Sequence, residues 1–177
     1  MKIMVTLAEG FEEIEALTVV DVLRRAGMNV DTVGVMGSVI SGAHDVKVMT
    51  DKKLLDINSD EYDGIVLPGG SPGYLNLGKS SKIIEILKKF DSAGKLIAAI
   101  CGAPSVLAKA GILEGKKATI FPGMEKELPH PRGERVVVDG NVITSQAAGT
   151  AMEFSLAIVE KLQGKDKALQ LRRLLVA

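Results

Sequence analysis

Apolar residues fall in two patterns that alternate along the chain. Residues 2–7, KIMVTL, are nearly continuous in apolar side chains, as a strand buried on both faces would be. Residues 11–27, FEEIEALTVVDVLRRAG, read as a helix, with acids in the first turns, Arg24 and Arg25 in the last, and Gly27 as the stop. MNVDTVGV (28–35) returns as a strand, VISG and DVKVMT pair as a small hairpin, and YDGIVLPGG (62–70) is a strand that stops at Pro68. SSKIIEILKKF (80–90) sets Ile83, Ile84 and Leu87 at helical spacing behind a serine cap. KLIAAI (95–100) is another buried strand, and GAPSVLAKAG (102–111) a short helix with an early proline. RVVVDGNVITS (135–145) is a hairpin turning at Asp139-Gly140. Thr150 and Glu153 have capping-box spacing before a helix striped by Ala151, Phe154, Ile158 and Leu162, and KDKALQLRRLL closes the chain as a further helix.

This alternation predicts one α/β domain over residues 1–177, a doubly wound three-layer sandwich with a mostly parallel central sheet. Ligands of such folds sit at the carboxyl ends of the strands. The loops to examine are therefore 8–13, 68–74, 101–104 and 121–133.

One motif match fails in that frame. GYLNLGKS (73–80) fits the phosphate-loop pattern G-x-x-x-x-G-K-[ST] letter for letter. A phosphate loop leaves its strand directly, but here PGGSP intervenes. Tyr74, Leu75 and Leu77 between the glycines suit a helical turn packed on the core, and no strand ending in Asp follows to hold Mg²⁺.

Composition narrows the classes further. Lys plus Arg and Asp plus Glu both number 22, so no net field draws the chain to nucleic acid or an anionic membrane. Aromatics are only 3% and Trp is absent, so Ile, Leu, Val, Ala and Met must build the core. The first apolar run ends at Glu9, too early for a signal peptide or a membrane span. A single cysteine forbids an intramolecular disulfide and favours a reducing, cytoplasmic setting.

That cysteine carries the chemistry. AAICGAPS places Cys101 where a buried strand turns into a helix, a junction that projects a side chain outward in a strained conformation. The helix N-terminus favours thiolate, and the Gly102 N–H is a candidate oxyanion donor. The bland alternative is a small buried hydrophobe. Gly69-Gly70, at another strand's carboxyl end, either bares backbone N–H groups to a ligand or simply turns the chain. His44 and His130 are the only histidines, each a candidate base or a plain surface residue. AEGFEEIEA supplies Glu9, Glu12, Glu13 and Glu15 after the first strand. A carboxyl buried beside a thiolate would be driven toward its protonated form and could then donate to sulfur.

LAEGFEEIEALTVVDVLRRAG, YDGIVLPGG, LIAAICGAPSVLA and VITSQAAGTAMEFSLAIVEKLQGK together resemble the ThiJ/PfpI superfamily, in its ThiJ-like branch. The resemblance runs nearly end to end and implies a flavodoxin-like sandwich, usually a homodimer. The family's reactive cysteine falls on Cys101 and its partner glutamate on Glu15. The oxyanion-side donors fall on Gly70 and Gly102, and Asp21 and Arg25 fall in the helix that pairs subunits. A human member carries arginines at the positions of His44 and Gln146, and both are absent here.

The residues and the resemblance together imply a glyoxalase- or deglycase-type enzyme of small reactive carbonyls or their early protein adducts, with no cofactor and no metal. A redox-sensing, chaperone-like protein using the same cysteine is the second expectation, and an intracellular cysteine peptidase the third. Neither membrane nor specific nucleic acid is expected as a partner.

Overall fold

β1 (Lys2–Leu7) is the axis of the molecule. In this computed structural model, which describes residues 1–177, it pairs in parallel with β2 (Asn29–Gly34) on one side and β6 (Gly64–Leu67) on the other. β7 (Leu96–Ile100) and β9 (Val142–Ser145) extend the parallel array beyond β6. β5 (Lys52–Lys53) adds to β2, and β8 (Val136–Asp139) closes the far edge as the one antiparallel strand. The order is β5-β2-β1-β6-β7-β9-β8, so the chain winds outward from β1 in both directions. β3 (Val39–Ser41) and β4 (Lys47–Met49) form the separate hairpin that the sequence predicts.

Strand periodicity builds two cores. Ile3, Val5 and Leu7 face one way, against α1 (Glu13–Arg25), α5 (Ala151–Gln163) and α6 (Lys165–Leu175). Met4, Ile65, Leu67, Ile97 and Ala99 face the other, against α2 (Gly73–Lys79), α3 (Ser81–Ser92) and α4 (Pro104–Lys109). Apolar side chains cover the sheet on both faces, with Thr6, Thr32 and Thr144 buried among the strands, and the mostly parallel three-layer expectation holds.

Several boundaries differ for local reasons. The helix expected from residue 11 starts at Glu13, because Phe11 is held in a bridge to Gly42 and Glu12 caps the Glu15 N–H at 2.7 Å. The strand expected from Tyr62 starts at Gly64. GYLNLGKS folds as α2, with Leu77 buried, and Ser80 caps α3 through the Ile83 N–H. The capping box expected at Thr150 and Glu153 is not formed. Thr150 Oγ1 turns back to the Ala147 carbonyl at 2.8 Å and to Ser145 Oγ at 2.6 Å, while Glu153 pairs with Arg135 at 3.0 Å. No helix is long and apolar enough to cross a membrane.

Candidate functional site

Three of the four loops singled out meet at the carboxyl ends of β1, β6 and β7. Glu12 N–H donates to the Gly69 carbonyl at 3.1 Å and Gly73 N–H to the Gly10 carbonyl at 3.1 Å, which ties the first two loops together. Cys101 follows β7 directly and has φ 63°, the left-handed region that a non-glycine residue enters at roughly 1–3 kcal/mol. The surroundings hold it there. Its N–H donates to the Ser145 carbonyl at 3.0 Å, and its carbonyl accepts the Phe121 N–H at 3.0 Å. The fourth loop, 121–133, therefore touches the site through Phe121.

The half-buried Cys101 sulfur lies against the Glu15 carboxyl, and the nearby Gly70 and Gly102 backbone N–H groups favour its charged form. Glu15 is 1% exposed. Its Oε2 accepts the Gly69 N–H at 2.7 Å, and its Oε1 is buried with no partner. Close approach explains the glycines. A methyl on Gly69 would stand 2.8 Å from Glu15 Oε2 and 3.0 Å from Cys101 Sγ. One on Gly102 would meet the Tyr74 ring at 2.9 Å. Gly70, at φ 85°, lies against the backbone of Gly10 and Glu12.

Electrostatics make Cys101 and Glu15 a coupled pair. Burial, with help from the Glu12 charge, pushes the Glu15 carboxyl up to about 7, against the Gly69 hydrogen bond. Burial first and the Glu15 charge second push the Cys101 thiol up to about 12, against the Gly70 and Gly102 N–H groups. The expected lowering by a helix N-terminus does not dominate, since α4 is only six residues long and begins at Pro104. The thiolate becomes accessible when Glu15 takes up a proton. Its repulsion then disappears and it becomes a donor to sulfur.

The other candidates stand apart from the sulfur. Glu13, also buried, accepts the His44 N–H at 2.7 Å and faces His44 Nδ1 at 2.9 Å. The Glu13 hydrogen bond raises the His44 ring above its ordinary value. Burial opposes ionisation of Glu13, but the His44 bonds win and hold its carboxyl low. Glu12, Glu13 and His44 place donor atoms within 4.8 Å of one another, yet Glu12 is already engaged with Glu15 N–H and Glu13 with His44 and Val46. His130 is exposed and takes part only through its carbonyl, which accepts the Ala118 N–H. Gln146 Nε2 donates to the Gly133 carbonyl at 3.0 Å. Asp21 and Arg25 form the expected i, i+4 pair at 2.7 Å on the surface of α1.

Two features escaped sequence reasoning. Gly69, whose N–H anchors Glu15, was visible only as half of a Gly-Gly dipeptide. The Glu13–His44 pair joins residues 31 apart and left no local signal.

Residues 1–161 match the family model described as DJ-1/PfpI family. Protein dj-1beta of Drosophila melanogaster is 44% identical over 180 residues, covering 98% of this chain and 96% of that protein. Protein DJ-1 homolog A of Arabidopsis thaliana is 45% identical over 96% of this chain, but the match spans only 44% of that longer protein. The solved structure titled "Toxoplasma gondii DJ-1, oxidized" superposes with a TM-score of 0.96 at 36% identity, covering 99% of this chain and 97% of that one.

Proposed function

The chain belongs to the DJ-1/PfpI family, and from that premise we propose that it is a cofactor-independent enzyme acting on small reactive carbonyls or their early protein adducts. The observation that carries this reading is the strained Cys101, with its sulfur set between the Gly70 and Gly102 N–H groups and a buried, proton-holding Glu15.

With methylglyoxal as the substrate, the thiolate adds to the aldehyde carbon and the former carbonyl oxygen becomes the alkoxide of a hemithioacetal. The Gly70 and Gly102 N–H groups, which serve sulfur in the free protein, are the donors for that oxygen. Glu15 gives its proton to the alkoxide, which leaves a neutral adduct and Glu15 as a carboxylate. Glu15 then removes the proton from the former aldehyde carbon and returns it to the neighbouring carbonyl carbon, while the hydroxyl proton passes from the first oxygen to the second through the enediol. Its unpartnered Oε1 is free for the task, and its value of about 7 suits both directions near neutrality. The product is a thioester of lactate. Water attacks the thioester carbon, the Cys101–carbon bond breaks, and lactate leaves. No electrons enter or leave the whole sequence, which adds one water to methylglyoxal.

Lactate formation from methylglyoxal is the test. Cys101→Ala is expected to abolish it, and turnover surviving in that variant ends the assignment. A redox-sensing role is the second reading, favoured by the same half-buried sulfur: two oxygens added to it would find the Gly70 and Gly102 N–H groups. Mild peroxide followed by mass spectrometry reads it, and an unmodified Cys101 excludes it.

The reading extends to a homodimer in a reducing cytoplasm. Exposed Ile14 and Leu17 on α1, beside the surface Asp21–Arg25 pair, supply an apolar face for a second copy.

A further inference from the structure

A cleft of about 890 Å³ lies apart from Cys101. It opens between the end of β2, the turn at Leu54–Asp56, and the α2–α3 junction. None of Cys101, Glu15, Gly70 and Gly102 lines it. We propose that this cleft binds a phosphate monoester with an apolar body.

Charge is the first argument. Lys53, Lys79 and Lys82 line the cleft against a single carboxylate, Glu9, leaving two positive charges in excess. None of the three lysines is in an ion pair. Lys82 Nζ leans on the Leu55 carbonyl at 3.4 Å, a long bond that it can give up. Glu9 is turned aside, with Oε2 accepting the Ser41 N–H at 3.2 Å. A phosphate monoester carries roughly −1.5 to −2 near neutrality, which matches the excess.

Hydrogen-bond geometry is the second. Ser81 and Lys82 are the first residues of α3, a helix of 12 residues, and N–H groups in a first turn have no intrahelical acceptor. Ser80 Oγ satisfies only the Ile83 N–H. Lys79 and Ser80, the last two letters of the failed phosphate-loop match, thus arrive at an anion-friendly place by another route. Polarity of the remaining wall is the third. Val35 and Leu54 line the cleft as buried residues, and Met36 and Leu55 stand 83% and 80% exposed on its rim. An inorganic ion leaves those side chains in water, whereas an ester's apolar body covers them.

The test is a titration of the whole protein with phenyl phosphate at fixed ionic strength, followed by backbone amide NMR shifts. Saturable shifts at Leu55, Ser81 and Lys82 are expected. The double variant K79Q/K82Q should weaken binding by at least about tenfold, because a hydrogen bond to a charged group contributes that much or more. Lys88→Gln, on the exposed part of α3, should leave it unchanged. Should the double variant lose its dispersed spectrum, Lys53→Gln serves in its place, with a weakening of several-fold expected. Absent or non-saturating shifts overturn the proposal. So does equal weakening in Lys88→Gln, or the same shifts produced by phenol.

Discussion

Gly69→Ala is the sharpest test of the geometry around Cys101. The added methyl would lie 2.5 Å from Cys101 Cβ, 2.8 Å from Glu15 Oε2 and 3.0 Å from Cys101 Sγ. Favourable carbon contacts sit at about 3.5–4.0 Å, so all three neighbours must retreat. None can do so freely. Cys101 Cβ is fixed to a left-handed backbone bonded to Ser145 and Phe121. Glu15 Oε2 can move only by giving up its 2.7 Å bond from Gly69. Overpacking of this kind costs about 1–3 kcal/mol. At roughly 2–4 °C per kcal/mol for a chain of this size, Tm should fall by about 2–12 °C. Thermal unfolding reads that loss, and the rate of iodoacetamide alkylation of the single cysteine reads the displaced sulfur. Gly133→Ala is the control: its position is open and its φ ordinary, so a change within about 0.5 kcal/mol is expected. If Gly69→Ala melts with the wild type and alkylates at the same rate, Gly69, Cys101 and Glu15 are not packed together.

Glu15 also sets a pH dependence. Its carboxyl is raised from 4.5 to about 7, so the folded protein holds a proton that the unfolded chain releases, and stability falls as pH rises between those values. The loss is about 3 kcal/mol at 1.36 kcal/mol per unit. Glu15→Gln should therefore gain on the wild type by about that amount between pH 4 and pH 8, read by denaturant midpoints, and parallel curves would refute a buried, proton-holding Glu15. The same variant removes the charge that raises the Cys101 thiol, so its alkylation inflection should fall below the value of about 12 set beside ionised Glu15. Leu17→Glu, on the exposed face of α1, should halve the mass measured by light scattering if two copies pair there; a mass equal to one chain in the wild type removes the dimer from the reading.

The fold was legible because burial on both faces leaves a plain mark. β1, β6 and β7 are short apolar runs, and the helices between them carry their stripes. Cys101 was legible for a related reason: a strand running straight into a proline-started helix leaves little room for anything but a sharp turn. Glu15 depended on family resemblance, since four glutamates crowd the segment and periodicity does not separate the one aimed at Gly69 from the one bound to His44. Thr150 misled because its hydroxyl had better partners behind it than the helix ahead. The lysine cleft was illegible: its walls come from residues 9, 35–38, 53–55, 76 and 79–82, which only the tertiary fold assembles.

The direction of the Cys101 shift changes how reactivity should be understood. A helix N-terminus would supply a standing thiolate. A thiol pushed up by burial and by Glu15 instead makes the nucleophile conditional on where one proton sits. When that proton is on Glu15, the sulfur loses a repelling charge and gains a donor beside the Gly70 and Gly102 N–H groups. Once that proton has passed to the oxygen of the adduct, Glu15 is an anion ready to take a proton from carbon. Under the proposed mechanism, one buried carboxyl would serve the attack in its acid form and the proton transfer in its base form, which calls for a value near 7 and not near 4. The burial that raises Glu15, and thereby lowers stability at neutral pH, is the same burial that makes the residue usable in both forms.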